Sequence, residues 1–529
     1  MPKAEHVFEC SYEVCNKVGG IYTVLKSKAS EMIHHYDGNY TSVGFYNPDK
    51  ARIDFDEEET PQDFKPVFEQ LEKEGVKCYY GVWLVPGRPK TILVDPAGYY
   101  NRVNDVKAWM WEKYQVDSLN SDDTFNHPLV WSYCTGIVIE RLLETGTLKG
   151  RRVVVHVHEW MSGAGALYLK SKKAPCATVF TTHATMLGRT IAGSGGDLYK
   201  MVGEGVKGRT VDPDVARKYG VNDKHTMEVA CANHCDVFTT VSTITGGEAK
   251  YLLGKRPAIF LPNGIDYAKY SELDEAAILR RKYRKDMRKF LTAYFSRYYN
   301  IDYMKIRSFF ISGRYEFHNK GIDVYVDALG KLNEEMKSNG YENTVIAFIF
   351  VPAAVRGENI RILKNAGLLE ELYDQVEDAL PDIESRIITS LTNGELAEDI
   401  YSEDFRRQAR KMIVHFKELV GQTPPLCAFQ LIDEGNDAII NALKRNGLLN
   451  RMEDRVKVIF YPAYLSSSDR LIGLEYNQAT LTCDLGVFPS FYEPWGYTPV
   501  ETAVQSTPAI TTDLAGFGQF IQGKGEGIT

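Results

Sequence analysis

The sequence predicts an α/β protein built from two doubly wound halves. Short apolar, β-branched runs alternate with amphipathic helical segments in both halves, which is typical of parallel sheets covered by helices. At 529 residues the chain is also too long for one ordinary hydrophobic core. We therefore expect a first domain over residues 1–268 and a second over 269–529, the second with helical insertions at about 270–307 and 370–455.

The composition is that of a soluble globular protein, with 44% hydrophobic and 25% charged residues. The net charge of −8 does not favour nucleic acid as a partner. We find no apolar run of bilayer length, and the first residues lack the apolar core of a signal peptide. Nine cysteines without paired spacing fit a reducing, cytoplasmic setting.

In the first half, polar residues stand beside or after predicted strands. Gly19 and Gly20 follow the strand at 6–10 and precede a helix, where they form a plain turn or let a phosphate come close. Strand alternation places His156 and His158 on one face, as a substrate wall or, with a neighbouring glutamate, as a metal site. No third ligand follows at a telling spacing, so we favour the substrate wall and expect no metal.

Two further residues of the first half follow the strand at 177–182, namely His183 and Arg189. Arginine is the usual partner of a planar oxyanion, and the alternative is an ordinary polar loop. Cys231 and Cys235 bracket a histidine, and we interpret them as packing residues of a helix rather than as metal ligands.

The second half supplies two cations and a helix start. Arg314 and Lys320 lie six residues apart after a strand, which suits a diphosphate; otherwise they are two solvated cations. Thr498 is predicted to cap a helix whose free N–H groups would bind an anion, with Glu493 and Glu501 on either side. Such a pocket suits a nucleotide-sugar donor. The alternative is that Glu501 only closes a capping box and Glu493 lies on a solvated loop.

Six motifs in chain order resemble those of the eukaryotic glycogen synthases, glycosyltransferase family 3. The resemblance extends from the first strand to the last residue. The motifs are KVGGIY at 17–22, HVHEW at 156–160, TTHAT at 181–185, LPNG at 261–264, GRYE with NKG at 313–321, and YEPWGYTP at 492–499.

This resemblance implies the two-domain GT-B architecture and a retaining transfer of glucose from UDP-glucose to the 4-hydroxyl of an α-1,4-glucan, without a metal. The alternatives are a related transferase that uses ADP-glucose or another acceptor, and a glycan-binding protein that has lost catalysis. The resemblance also implies a homo-oligomer and, as a further partner, a glycogenin-like primer. The family continues beyond Thr529, so we expect a truncated form or a fragment.

The resemblance also assigns roles to individual residues. Those expected to act on the glucose or on the donor phosphates are Glu493, His183, Arg314 and Lys320. Tyr464 and Tyr476 are expected to stack on the uracil, and Glu501 is expected to bind the ribose hydroxyls. The others expected to contact the donor are Arg189, Gly19, Gly20 and Thr498.

Overall fold

The computed structural model describes residues 4–205, 210–267, 270, 273–394, 400–416, 418–522 and 524. Its contacts divide the chain into two units. The first unit comprises Met1–Tyr267, Tyr492–Gly496 and Asp513–Ile528, and the second comprises Ala268–Phe491 and Tyr497–Thr512.

The strands form one sheet of nine strands in the first unit, and one of five and one of two in the second. In chain order they are β1 His6–Cys10, β2 Tyr40–Phe45, β3 Phe55–Glu57, β4 Lys77–Trp83, β5 Lys90–Asp95, β6 Val153–His158, β7 Cys176–Thr182, β8 Val237–Thr240, β9 Ile259–Phe260, β10 Ile306–Ser312, β11 Thr344–Phe350, β12 Val355–Glu358, β13 Phe429–Leu431, β14 Val456–Tyr461, β15 Leu485–Phe488 and β16 Ala509–Thr511.

The α-helices connect and cover these strands. They are α1 Gly20–Tyr36, α2 Pro48–Asp54, α3 Lys65–Lys73, α4 Val103–Tyr114, α5 Asp123–Leu142, α6 Glu159–Ser171, α7 Met186–Gly193, α8 Leu198–Gly205, α9 Pro213–Lys218, α10 Asn222–His234, α11 Thr243–Leu252, α12 Leu273–Phe295, α13 Ile322–Ser338, α14 Ile360–Thr392, α15 Glu403–Phe416, α16 Ala438–Arg445, α17 Tyr476–Leu481, α18 Tyr497–Val504 and α19 Gly516–Gln522.

The nine-stranded sheet has the order β3-β4-β5-β2-β1-β6-β7-β8-β9. All its pairings from β5 to β9 are parallel, and β4 and β3 extend one edge in antiparallel fashion. The chain runs outward from β1 in one direction through β2 and β5, and in the other direction from β6 onward. The order therefore reverses between β1 and β6, and ligands of doubly wound sheets bind at the carboxyl ends of the strands at such a point.

The five-stranded sheet of the second unit is wholly parallel, in the order β14-β11-β10-β15-β16. Its reversal lies between β10 and β15. The interior strand β11 is buried from Val345 to Phe350, as expected of a strand covered by helices on both faces. The α/β class and the two doubly wound sheets predicted from the sequence are thus confirmed.

Three predicted boundaries were wrong. The helical segment expected to reach residue 307 ends at Phe295, and β10 already begins at Ile306. The insertion expected from 370 already begins at Ile360 with α14, whose N-terminal part packs in the core through the buried Ile362. Helix α18 starts at Tyr497, so Thr498 lies in its first turn and is not its N-cap.

The division of the chain also differs from the predicted one at two late segments. Both Tyr492–Gly496 and Asp513–Ile528 group with the first unit, although the sequence placed them in the second. The cause is a set of contacts: Glu493 forms a parallel bridge with Ala515, and the Tyr492 hydroxyl donates to Glu248 Oε2 at 3.2 Å.

Candidate active site

In the first unit, polar side chains gather where β1 and β6 end side by side. Glu9 pairs in register with His156, and both His156 and His158 turn towards its carboxylate. His158 Nε2 lies 2.7 Å and His156 Nδ1 lies 3.3 Å from Glu9 Oε1. The prediction that the two histidines share one face is confirmed, and Glu9 is the residue that joins them.

The Glu9 carboxylate is ionised although it is completely buried. Burial by itself would raise its pKa, but the Lys28 ammonium and the hydrogen bonds from His156 and His158 hold that pKa well below its usual value. Lys28 Nζ bonds to Oε1, and the Tyr40 hydroxyl donates to Oε2. The carboxylate thus accepts from several donors at once, which is how a buried charge is made tolerable.

The same cluster has the composition of a metal site, since ligand atoms of Glu9, His156 and His158 lie within 4.8 Å of one another. However, Lys28 already supplies a cation to the shared oxygen of Glu9. A divalent ion bound there would stand beside an ammonium group, which is electrostatically unfavourable. The donor set therefore fits an internal ion pair better than a metal centre.

His183 follows β7 and lies next to this cluster. Its Nε2 is 2.9 Å from His158 Nδ1, and its backbone N–H donates to Glu159 Oε1 at 2.8 Å. Glu159 begins α6 with a φ of +65°, a left-handed conformation that is uncommon for residues with a Cβ and recurs at functional sites. His183 and Lys28 line a cavity of about 130 Å³ with Asn263.

Three buried glutamates hold the segment between His183 and Arg189. Besides its contact with His183, Glu159 accepts from the N–H of Ala184 at 3.1 Å. Glu228 accepts from the N–H of Met186 at 3.1 Å. Glu248 accepts from the Thr185 hydroxyl at 3.0 Å. The three carboxylates come from three different helices, α6, α10 and α11, and so tie this segment to each of them.

Arg189, in α7, is the cation of this carboxylate group. Burial raises the pKa values of Glu159 and Glu228, and it raises the pKa of Glu248 to about 7; the Arg189 guanidinium opposes the rise in all three. With one nearby cation against three buried acids, part of the group stays protonated at neutral pH. The structure thus places Arg189 beside carboxylates of its own unit.

Gly19 and Gly20 lie at the start of α1, as predicted, but their surroundings are anionic. Glu13 Oε2 accepts from the N–H of Gly19 at 2.8 Å and from the N–H of Tyr22 at 2.9 Å. The carboxylate of Glu13 therefore occupies the position at the helix N-terminus where a phosphate would otherwise bind. A contact of these glycines with a donor remains a prediction.

Glu493 is half-buried in the first unit. It forms the bridge with Ala515, and its carbonyl accepts from the N–H of Gly516 at 3.0 Å. Burial raises the pKa of Tyr199, and the nearby carboxylate of Glu493 raises it further. It is thus grouped with His183 and Arg189 in one unit, whereas Arg314 and Lys320 belong to the other.

In the second unit, the predicted cations follow β10 at the point where the strand order reverses. Arg314 is 59% exposed and pairs with Glu316 Oε1 at 2.9 Å. The stem of Lys320 lies over Gly313, where an added Cβ would approach it to 3.4 Å. The loop carrying both cations meets the segment after β15, since the N–H of Phe491 donates to Asn319 O at 3.0 Å.

A second polar group in this unit surrounds Tyr476, at the start of α17. Its hydroxyl lies 2.8 Å from Ser312 Oγ at the end of β10. Burial and then the carboxylate of Glu501 raise its pKa. The structure thus brings Tyr476, Glu501 and the end of β10 together, whereas Tyr464 is 84% exposed. Thr498 lies in the first turn of α18, the helix that also carries Glu501.

Sequence reasoning missed the buried carboxylates at residues 9, 13, 228 and 248. A charged residue inside an apolar strand was a usable signal for Glu9, because an ionised group is buried only with a partner. Glu228 and Glu248 lie in helices whose sequences mix polar and apolar residues, so their burial is not evident locally. Their hydrogen-bond partners are distant in the chain.

Two doubly wound sheets, each with charged side chains where the strand order reverses, define an α/β enzyme that binds its ligands at strand ends. Comparison with known proteins makes this specific. The family model described as glycogen synthase matches residues 9–527. The chain belongs to the glycogen synthase family, and is accordingly a glycosyltransferase.

Curated relatives agree with this assignment. The glycogen [starch] synthase of Caenorhabditis elegans is 34% identical over 524 residues, which cover 98% of this chain and 77% of the relative. Isoform 1 of the Saccharomyces cerevisiae enzyme is 33% identical over 537 residues, with coverage of 98% and 75%.

Among solved structures, the catalytic domain of Arabidopsis thaliana starch synthase IV, bound to ADP and acarbose, is similar with a TM-score of 0.47 and 11% identity. It covers 98% of this chain and 84% of that one. A trehalose 6-phosphate synthase of Burkholderia multivorans has a TM-score of 0.45 and 10% identity, with coverage of 98% and 85%.

Proposed function

We propose that the protein transfers glucose from UDP-glucose to the non-reducing 4-hydroxyl of an α-1,4-glucan with retention of configuration. Membership of the glycogen synthase family supports the glucan product. The observation that carries the donor half is the position of Arg314 and Lys320 after β10, at the reversal of a parallel sheet. Two cations on one loop there suit a diphosphate group.

In the proposed reaction, cleavage of the bond to UDP leaves positive charge on the sugar and negative charge on the diphosphate. Arg314 and Lys320 neutralise the departing phosphates, and the N–H groups of the first turn of α18 add to this. Arg314 then exchanges its partner Glu316 for a phosphate oxygen. The proposal requires no metal, so activity is expected to survive an excess of EDTA.

Tyr476 provides the platform for the uracil ring and Glu501 binds the ribose hydroxyls in this proposal. Both lie beside the carboxyl end of β10, which supports one shared pocket for base, ribose and phosphates. We further propose that His183 and Glu493 contact the glucose, and that Arg189, Gly19 and Gly20 contact the donor.

The experiment that tests this function follows labelled glucose from UDP-glucose into glycogen, with ADP-glucose as the competing donor. We expect transfer from UDP-glucose, and Arg314→Ala should lower kcat roughly 100-fold or more. Arg307→Ala is the matched control, because Arg307 is exposed near the opposite end of the same strand. Preference for ADP-glucose would contradict the proposed donor, and glucan binding without any transfer would indicate a glycan-binding protein.

We also propose a cytoplasmic homo-oligomer. All nine cysteines are free, which fits a reducing compartment. Among the described residues, every helix is too short or too polar to span a bilayer. Exposed apolar residues recur along α14 at spacings close to a heptad repeat, as in helices that pair. They are Tyr373, Val376, Leu380, Ile387 and Leu391.

Light scattering after size-exclusion chromatography tests this assembly, and Leu380→Glu should lower the measured mass. A glycogenin-like protein is the proposed primer, and pull-down with this chain tests it.

A further inference from the structure

The environment of Glu9 determines where the protons of its neighbours lie. An ionised carboxylate can only accept hydrogen bonds, so the group that faces it at 2.7 Å must donate. That group is Nε2 of His158. Burial, and then the neighbouring His156, lower the pKa of His158 to about 3, so its ring carries a single proton. The proton therefore stands on Nε2, and Nδ1 keeps its lone pair.

The position of the proton on His158 also determines where the proton lies on His183. His158 Nδ1 is an acceptor, and its partner at 2.9 Å is His183 Nε2, which must donate. Burial and the neighbouring His158 keep the pKa of His183 well below its usual value, so this ring is also neutral. With the proton on Nε2, the other ring nitrogen of His183 has a lone pair to offer.

We propose that Glu9 and His158 are positioning residues that hold His183 as the Nε2–H tautomer, so that its Nδ1 accepts a hydrogen bond from a substrate hydroxyl. The tautomer rests on the hydrogen-bond distances together with the lowered pKa values of Glu9, His158 and His183. The substrate half rests on the proposed function, because a hexose donor brings hydroxyl groups to His183.

The cavity beside His183 fits such a role. Its volume of about 130 Å³ is below the roughly 300–1,000 Å³ of pockets for whole ligands, so it suits one part of a ligand, such as a sugar ring. Lys28 and Asn263 are among the other polar residues that line it, together with His156, His158 and Thr181. The ammonium of Lys28 can only donate a hydrogen bond. With a fixed acceptor on His183, the pocket can both donate to a sugar hydroxyl and accept from one.

A second branch leaves Glu9 without reaching His183. His156 Nδ1 faces Glu9, and its Nε2 is 2.7 Å from the Thr181 hydroxyl, which in turn lies 2.6 Å from the Thr239 hydroxyl. The two histidines of one strand therefore have different tasks. Of the two branches, the one through His158 reaches His183, and the test must address that branch.

The test reads the tautomer directly. The full chain is labelled with ¹⁵N-histidine, and long-range ¹H–¹⁵N spectra are recorded at pH 7, with His183→Gln and His158→Gln for assignment. We expect both rings protonated at Nε2. Lys28 and His158 donate to the same oxygen of Glu9, so Glu9→Gln can keep an amide oxygen there and should keep both tautomers. Glu9→Leu with Lys28→Met removes that acceptor together with its cation. The Nδ1–H form of His183 should then appear, and kcat should fall at least tenfold with little change in KM.

Tyr40→Phe is the control, because the Tyr40 hydroxyl binds the other oxygen of Glu9. It should leave the tautomer of His183 unchanged. Glu9→Gln is the conservative comparison, and recovery of the Nε2–H tautomer and of kcat in it separates the lost acceptor from a general disturbance of the cluster. An Nδ1–H tautomer in the unmodified protein, or an unchanged Nε2–H tautomer of His183 in the Glu9→Leu, Lys28→Met variant, overturns the proposal. Expected spectra without any glucose transfer would instead refute the proposed function and leave the positioning role standing.

Discussion

A Cβ placed on Gly321 would lie 1.9 Å from the carbonyl oxygen of Pro489. Gly321 has a φ of +67° and precedes α13, directly after Lys320. Pro489 follows β15, so the glycine lets the loop after β10 pack against the loop after the adjacent strand. The closeness of these two loops places the cationic pair where the sheet order reverses.

Replacing Gly321 by alanine should therefore destabilise the second unit and displace Lys320. The expected loss is about 3 kcal/mol or more in the free energy of unfolding, because the clash is with backbone and adds to the strain of a positive φ. Urea unfolding measures the loss, and the KM for UDP-glucose should rise in any folded fraction.

Gly340→Ala separates the two causes. Gly340 has nearly the same φ, +66°, but nothing lies within 4 Å of an added Cβ. It should lose only about 1–2 kcal/mol, the cost of the left-handed conformation. Equal losses in the two variants would show that the contact with Pro489 is not important.

The start of α1 gives a second prediction, on whether the glycines approach the donor. A Cβ on Gly20 meets nothing within 4 Å, so Gly20→Ala should leave the melting temperature unchanged. If Gly20 lies against the donor, as proposed, the same change raises the KM for UDP-glucose severalfold. Gly146→Ala, also in open space, is the control for the substitution itself. Unaltered kinetics in Gly20→Ala would remove this residue from the donor site.

Gly19 is a different case within the same loop. A Cβ there would come within 2.8 Å of Glu13 Oε1, and Glu13 caps the helix through the N–H of Gly19. A loss of activity in Gly19→Ala would therefore mix a displaced carboxylate with any contact to the donor. This is why the informative substitution is at Gly20.

The strands that the sequence singled out, such as those at 6–10 and 177–182, coincide with β1 and β7, because each is a short apolar run and its burial is local information. The sequence did not single out β2 to β5 or β16. It also predicted that His156 and His158 share a face, which follows from the two-residue period of a strand. It did not reveal Glu9 as their partner, since that contact spans 149 residues of chain. Contacts of this kind depend on which strands become neighbours in the sheet, and local sequence patterns do not show the strand order.

The boundary errors have a similar origin. A threonine followed by proline is a good local signal for a helix start, but α18 begins at Tyr497 because Gly496, with a φ of +99°, makes the turn one residue earlier. The position of residues 492–496 late in the chain predicts that they belong to the second unit. Its packing is decided by Ala515 and Glu248, which local patterns do not show.

The carboxylate of Glu248 gives a prediction on pH. Burial raises its pKa from 4.5 to about 7, so in the folded protein it keeps its proton at pH values where the unfolded chain has lost it. The resulting contribution to stability is complete below about pH 4.5 and is lost as the pH rises to about 7. Facing it are Thr185, Tyr492, Arg189 and Glu228.

Glu248→Gln should remove this dependence, because the amide is neutral at every pH and its oxygen still accepts from Thr185 and Tyr492. Between pH 5 and pH 8 the unmodified protein should lose up to about 3 kcal/mol relative to the variant. Urea unfolding at four pH values measures the difference. Glu144→Gln, at an exposed position, is the control, and parallel curves for the unmodified protein and Glu248→Gln would contradict the prediction.

Tyr476 and Tyr464 give the last prediction, since both are candidates to stack on the uracil ring. Tyr476 is held by Ser312 and stands beside Glu501, so its ring is fixed before a ligand binds. Tyr464 is 84% exposed, and ordering it would cost side-chain entropy.

Tyr476→Ala should therefore raise the KM for UDP-glucose roughly tenfold or more, as expected for a lost stacking contact. Tyr476→Phe keeps the ring and should have a small effect, and Tyr464→Ala should fall between the two. A larger effect for Tyr464→Ala than for Tyr476→Ala would mean that the base binds on the exposed ring.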